Sequence, residues 1–191
     1  MGSVVIASPF DYLHFRYKNL TDMNLNNKLK IYIAGPDVFE LDAKAIGKKY
    51  ISMCADYGFI GLYPLDNEIK VDNPHNMAED IYYANKKMID SCDIVIANLI
   101  PFRGKEPDAG TVWELGYAVA LGKQVYAYMS DTKSYLCRFK ADEMSSFNEF
   151  TLDNDKRIIE DFELPVNLMI ACSVKIIKGD FEDVLKVISH H

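Results

Sequence analysis

The sequence predicts an α/β protein, a flavodoxin-like three-layer sandwich built on a five-stranded parallel sheet. Short apolar runs rich in β-branched residues alternate along the chain with segments of helical periodicity. The run over 93–99 is almost continuously apolar, which is typical of a central strand buried on both faces. The stretch 93–129 has the pattern strand, loop, helix, strand, a crossover that joins two parallel strands.

The same patterns give the order of elements. Strands are predicted at 29–34, 59–63, 93–99, 125–129 and 174–177. Helices are predicted at 41–57, 77–91 and 181–188, and a further helix follows Asp108 and ends at Gly122, a glycine suited to a helix terminus. In the helix at 77–91, Ile81, Ala84 and Met88 are expected to face the sheet or its edge. The polar residues 66–76, with His75, are interpreted as a loop over the site, and 130–164 as a surface excursion. Residues 1–28 are assigned to an N-terminal extension and 29–191 to the domain.

Composition limits the classes of function. The chain has 191 residues, of which 49% are hydrophobic and 26% charged, as in a soluble globular protein. The net charge of −7 argues against a nucleic-acid-binding surface. No apolar run approaches the roughly 20 residues that span a bilayer, so no membrane partner is expected. A secretory signal is not predicted, and the widely spaced cysteines fit thiols in a reducing compartment. We therefore expect a cytoplasmic protein.

Two carboxylates fall where a parallel sheet binds its ligands. Asp108 and Gly110 occupy the loop after a strand, and Glu114 lies in the first turns of the following helix. Glu114 interrupts a nearly apolar segment, so it is either a solvated helix residue or an acid held in a pocket. Asp108 is either a helix cap or a second acid for glycosidic chemistry.

The end of the first strand carries further candidates. Gly35 permits a tight turn at which a sugar can approach the backbone. Tyr32 is either a core tyrosine or a pocket residue. Asp37 and Phe39 either line the site or form a helix cap and a hydrophobic staple. Asn98, at the end of the third strand, is either a site residue or a turn cap.

Four sequence blocks, in order along the chain, resemble the nucleoside 2-deoxyribosyltransferase family. The blocks are Lys30-Ile-Tyr-Ile-Ala-Gly-Pro, Tyr63-Pro-Leu-Asp-Asn, Asp108-x-Gly-Thr-x-x-Glu114-x-Gly-Tyr-Ala and Pro165-Val-Asn-Leu-Met. The match spans roughly residues 29 to 180, and the four blocks together make it specific. The resemblance implies the same flavodoxin-like fold.

The resemblance also implies roles for the candidate residues. Glu114 would be the nucleophile in a double displacement on 2′-deoxynucleosides, Asp108 would hold sugar hydroxyls, and Tyr32 would position the nucleophile. No metal or organic cofactor is implied. The partners would be deoxynucleosides and free nucleobases, bound also by residues at the ends of the strands and in the signature loop: Gly35, Asp37, Phe39, Asn98 and Gly110. Family members form homo-oligomers, so a dimer or a larger assembly is expected. The block at 165–169 is a candidate for reaching a neighbouring pocket, with Asn167 or Ser173 as the polar contributor; the alternative is an apolar turn whose Leu168 and Met169 pack in the core.

One position departs from the family pattern. Bacterial members carry an aspartate that handles a proton on the nucleobase, whereas this chain has Asn85 on the corresponding helix. An amide orients a base by hydrogen bonds but does not supply an acidic proton. Asn85 is therefore expected to bind substrate, with the base specificity left open.

Two alternatives to the transferase follow from related proteins. Deoxynucleoside 5′-monophosphate N-glycosidases share the Glu-Leu-Gly helix but let water attack, and they carry a Ser- and Arg-bearing glycine loop for phosphate. Here that loop is Gly-Pro-Asp-Val-Phe, and Asp37 would repel a 5′-phosphate. The second alternative is a nucleotide-sensing module without catalysis.

Overall fold

The computed structural model describes residues 28–66 and 73–190, so the predicted extension lies outside the described residues apart from Lys28. Within these residues the chain forms seven strands: β1 Lys30–Ala34, β2 Ile60–Leu62, β3 Ile94–Asn98, β4 Gln124–Met129, β5 Ser145–Phe147, β6 Phe150–Leu152 and β7 Lys175–Lys178. Five of them make a parallel sheet in the order β2-β1-β3-β4-β7, while β5 and β6 form a separate antiparallel hairpin. The predicted fold is confirmed.

Helices cover both faces of the sheet. They are α1 Ala43–Asp56, α2 Pro74–Ser91, α3 Ala109–Ala120, the single turn α4 Leu168–Ala171, and α5 Phe181–Ser189. Helices α1 and α5 pack over one face and α2 and α3 over the other. Because side chains alternate along a strand, neighbours in β1 enter different cores: Ile31 faces α1 and α5, whereas Tyr32 faces α2 and α3.

The strand order creates a switch point between β1 and β3. From β1 the chain crosses to β2 on one side, and from β3 it crosses to β4 on the other. The loops that leave these two central strands therefore diverge, and a crevice opens at their carboxyl ends. Gly35 begins the loop after β1, and Asn98 is the last residue of β3.

Two local predictions were wrong. Helix α2 begins at Pro74, because Asn73 caps it by accepting a 2.9 Å hydrogen bond from the His75 backbone N–H; His75 is thus in the first helical turn, not in a loop. Ile81 was expected to face the sheet, but its side chain is 39% exposed, and Ile89 is the fully buried residue of this helix. Residues 67–72 of the predicted loop lie outside the described residues.

The predicted excursion over 130–164 contains local structure. Two short 3-10 helices, Tyr135–Arg138 and Ala141–Glu143, precede the β5–β6 hairpin. Among the helices in the described part of the chain, none is long and apolar enough to cross a membrane.

Candidate active site

The centre of the candidate site is a hydrogen bond between Tyr32 and Glu114. Tyr32 is fully buried in β1, and its hydroxyl donates to Oε1 of Glu114 at 2.5 Å. Helix α3 turns Leu115 and Ala118 into the core, so Glu114 lies at the border of the buried face. Glu114 is therefore a half-buried acid with a hydrogen-bond partner and not a fully solvated helix residue.

The surroundings of Glu114 shift its protonation equilibrium. Burial raises the pKa of the Glu114 carboxyl to about 7, and the negative charge of Asp108 adds to that rise. Hydrogen bonds from Tyr32 and from the Asn85 side chain act in the opposite direction on this pKa. Burial, together with the charge of Glu114, raises the pKa of Tyr32, which therefore stays a protonated donor. The candidate site thus holds a carboxylate, that of Glu114, whose ionisation changes near neutral pH.

Asp108 caps the helix that carries Glu114. Its Oδ2 accepts hydrogen bonds from the Thr111 backbone N–H at 2.9 Å and from the Thr111 hydroxyl at 3.0 Å. The capping interpretation is therefore confirmed, and the charge of Asp108 still acts on Glu114. Both bonds use Oδ2, so Oδ1 is the oxygen suited to a ligand hydroxyl. Gly110 follows in the first turn, where a Cβ would lie 3.1 Å from Asp108 Oδ2.

A second polar group forms at the carboxyl ends of β1 and β3. Asn98 donates from Nδ2 to Oδ2 of Asp37 at 3.0 Å and accepts the Ile100 backbone N–H at 3.0 Å, so it holds the site and caps a turn. Tyr50 of α1 donates to Oδ1 of Asp37 at 3.3 Å. A Cβ on Gly35 would lie 2.6 Å from Asp37 Oδ2 and 2.9 Å from the Asn98 Cβ, which requires glycine there.

Tyr50 is a site contact that sequence reasoning missed. Its spacing along α1 indicated only a packed helix face, and no local pattern pairs it with Asp37. Phe39 is 54% exposed, and its ring stacks on that of Phe102 with centroids 5.3 Å apart. The partner of Phe39 thus comes from the loop after β3.

Asn85 lies beside the Glu114 carboxylate, whereas Asn167 bonds within its own block and to Glu160. The Asn85 side chain acts on Glu114 by lowering its pKa, and its Oδ1 is buried without a hydrogen-bond partner among the described residues. Asn167 donates to Glu160 and accepts the Met169 backbone N–H at 3.0 Å, and it caps α4. The Met169 side chain is 72% exposed, so its expected packing in the core is wrong.

The fold and the site define a doubly wound α/β protein with a tyrosine-bound carboxylate at its switch point. A sequence model of the nucleoside 2-deoxyribosyltransferase family matches residues 31–169. The chain therefore belongs to the nucleoside 2-deoxyribosyltransferase family, which confirms the family predicted from the four blocks.

The chain is also similar to solved structures and to a curated sequence. The 2-desoxiribosyltransferase from Leishmania mexicana is 35% identical, with a TM-score of 0.70 over 86% of this chain and 99% of that chain. The 2-deoxyribosyltransferase from Bacillus psychrosaccharolyticus shares the fold, with 23% identity and a TM-score of 0.53 over 82% of this chain and 90% of that chain. An uncharacterized protein from Schizosaccharomyces pombe is 34% identical over 109 residues, 55% of this chain. The chain thus spans about half, 52%, of that curated relative.

Proposed function

We propose that this protein is a nucleoside 2-deoxyribosyltransferase that exchanges the base of 2′-deoxynucleosides through a covalent deoxyribosyl–Glu114 intermediate. The observation that carries the proposal is the Tyr32–Glu114 hydrogen bond, which holds a partly buried carboxylate in a fixed orientation at the switch point. A nucleophile needs this fixed geometry and an ionised form accessible near neutral pH. The family of the chain supports the same activity.

The chemistry proceeds in two displacements. A Glu114 carboxylate oxygen attacks C1′ and forms an ester as the bond from C1′ to the base nitrogen breaks, and its electron pair leaves with the base. A nitrogen of a second base then attacks C1′, releases the carboxylate and loses its proton. Each displacement inverts C1′, so the β-configuration is retained.

Other residues support the nucleophile. Tyr32 and Asn85 orient the carboxylate by donating hydrogen bonds, and they favour its ionised form. Asp108 accepts a sugar hydroxyl in this scheme, through Oδ1, because Oδ2 already accepts two hydrogen bonds from Thr111. The oxocarbenium-like charge that develops on the sugar is stabilised by the carboxylates of Glu114 and Asp108.

Asp37 favours free nucleosides over nucleotides. Its carboxylate is fixed between Asn98 and Tyr50 at the edge of the sheet, where it would repel a 5′-phosphate. Replacing Asp37 with Ser is expected to raise the ratio of kcat/KM for deoxyinosine 5′-monophosphate to that for deoxyinosine by about tenfold or more. An unchanged ratio would remove Asp37 from substrate selection.

We also propose a homo-oligomer in which the block that contains Asn167 contributes to a neighbouring site. The exposure of Met169 next to Asn167 supports an outward-facing block. Light scattering after size exclusion gives the mass in solution. A monomer at micromolar concentration would contradict this arrangement.

The decisive experiment compares donor alone with donor plus acceptor. The protein is incubated with deoxyinosine, with and without adenine, then with thymidine as donor, and the products are separated by chromatography. Deoxyadenosine formed only with adenine supports transfer, and Glu114→Gln should abolish it while remaining folded. Free deoxyribose at equal rates with and without adenine would indicate hydrolysis instead. Tight binding without turnover of nucleosides or their 5′-monophosphates would indicate a sensing module.

A further inference from the structure

The segment over 130–164 contacts two loops, of which one leads to Asp108 in the candidate site and the other contains Asn167, the residue proposed to contribute to a neighbouring site. The first loop joins β3 to α3 and leads to Asp108. It is closed on itself by a 2.9 Å hydrogen bond from the Phe102 backbone N–H to the Glu106 carbonyl. The second is the block at 165–169, which contains Asn167. These loops are distant in sequence, so the distance between them depends on tertiary contacts.

Arg138 bridges the two loops. Its Nη1 donates to the backbone carbonyl of Lys105, and its Nη2 donates to the backbone carbonyl of Pro165, each at 2.5 Å. Lys105 is three residues before Asp108, and Pro165 is two residues before Asn167. The planar guanidinium holds two acceptors in one fixed geometry, which a single ammonium group does not do.

Arg138 is itself held in place by further contacts of its backbone and of its guanidinium group. Lys105 Nζ donates back to the Arg138 carbonyl at 3.0 Å and to Oε2 of Glu143 at 2.8 Å. The Tyr135 ring lies under the guanidinium, with the central carbon 5.4 Å from its centroid, and the Tyr135 backbone N–H donates to the Leu164 carbonyl at 2.7 Å. The Arg138 guanidinium group is therefore part of a hydrogen-bonded network and is not a solvated side chain.

Glu160 extends this contact to the second loop. Its Oε1 accepts from Asn167 Nδ2, and its Oε2 accepts the Leu168 backbone N–H at 3.0 Å. We infer that Arg138 is a positioning residue for the active site, because it sets the distance between the loop that carries Asp108 and the block that carries Asn167. The inference rests on the proposed function and assigns a role to the segment over 130–164.

A residue that positions substrate-holding loops affects substrate binding more than the chemical step, because those contacts are made in the ground state and in the transition state alike. Replacing Arg138 with Met is expected to raise the KM for deoxyinosine about tenfold or more while kcat changes less than about threefold. Arg138→Lys should give an intermediate KM, since it keeps the positive charge but lacks the two coplanar N–H donors of the guanidinium group. The matched control is Arg157→Met in the same segment, because the Arg157 side chain is 78% exposed and its ion pair, at 3.5 Å, is with the exposed Asp155.

Folding and catalysis are separated by two further measurements. Circular dichroism and the melting temperature give the folded fraction of each variant, to which kcat is normalised. The Kd for deoxyinosine is measured by calorimetry in Glu114→Gln, with and without Arg138→Met, so that turnover does not interfere. A weakening of about tenfold or more supports the inference.

An unchanged KM and an unchanged Kd in the Arg138→Met variant would overturn the inference, whatever the melting temperature, because Arg138 would then have only a structural role. A fall in kcat at constant KM would overturn it as well. If the unmodified protein binds deoxyinosine but exchanges no base, the proposed transfer fails, while the Kd comparison still decides the role of Arg138. If it neither binds nor turns over deoxyinosine, both are contradicted.

Discussion

The hydroxyl of Tyr32 and the carboxylate of Glu114 are separated by 82 positions in the sequence and joined by a 2.5 Å hydrogen bond. The first residue comes from the central part of β1 and the second from α3, so the pair exists only when the helix packs on the sheet. It links the stability of the fold to the ionisation of the proposed nucleophile.

Activity should depend on the ionisation of Glu114. Only the carboxylate attacks C1′, and the pKa of Glu114 is raised to about 7. We therefore expect kcat/KM to rise with pH through about 7 and to level off above it. Tyr32→Phe removes a hydrogen bond that lowers this pKa, so the midpoint should move to higher pH and the plateau should fall roughly tenfold. Superimposable pH profiles for the two proteins would contradict the role of Tyr32.

The same shift predicts a pH-dependent stability. The folded protein holds the Glu114 proton until about pH 7, whereas an unfolded chain releases it near 4.5, so wild-type stability is lost as pH rises through this range. Glu114→Gln does not titrate. Its free energy of unfolding relative to wild type should therefore increase between pH 5 and pH 8 by up to about 3 kcal/mol. Urea denaturation at both pH values measures the difference.

The control for that experiment is Glu79→Gln, which changes an exposed glutamate of α2 that pairs with the exposed His75 at 3.7 Å. The free energy of unfolding of this variant should change between pH 5 and pH 8 by about as much as that of wild type. An equal response of the two variants would show that Glu114 is not the source of the shift.

Gly35 and Gly116 should respond to alanine in opposite ways. A Cβ at Gly35 would lie 2.6 Å from Asp37 Oδ2, so Gly35→Ala should displace Asp37 and cost about 1–3 kcal/mol. Gly116 lies within α3, and apart from its chain neighbours and its own helix backbone an added Cβ would meet none of the described residues within 4 Å; Gly116→Ala should therefore stabilise by about 0.5–1 kcal/mol. Chemical denaturation of both variants checks the signs. Stabilisation by Gly35→Ala would mean that the loop after β1 relaxes freely.

Asn85→Asp tests the departure from the family pattern. A second negative charge beside Glu114 should raise the pKa of Glu114 and move the acid limb of the pH profile to higher pH. The rate at pH 6 should therefore fall relative to wild type. A higher rate at pH 6 would instead show that the new acid protonates the leaving base. Asn85→Leu separates loss of the amide from gain of charge.

Much of the fold follows from local patterns. The apolar runs of β1, β3 and β4 and the capping residues of α3 are readable because periodicity and capping act over a few residues. The start of α2 was missed because the polar residues before it are typical of a loop, and the Asn73 cap looks like one more turn residue. Ile81 was misplaced because a helix of mixed polarity does not determine its own buried face.

The family, the parallel α/β architecture and the candidate nucleophile could all be predicted from the sequence, because they depend on short-range patterns and on motif order. The hydrogen bond that holds Glu114 to Tyr32, and the bonds that fix Asp37 to Asn98 and Tyr50, could be seen only in the folded protein. The same is true of the bonds by which Arg138 joins two distant loops. The physical reason is that a hydrogen bond requires an approach within a few ångströms, and residues tens of positions apart reach that distance only through the packing of helices on the sheet.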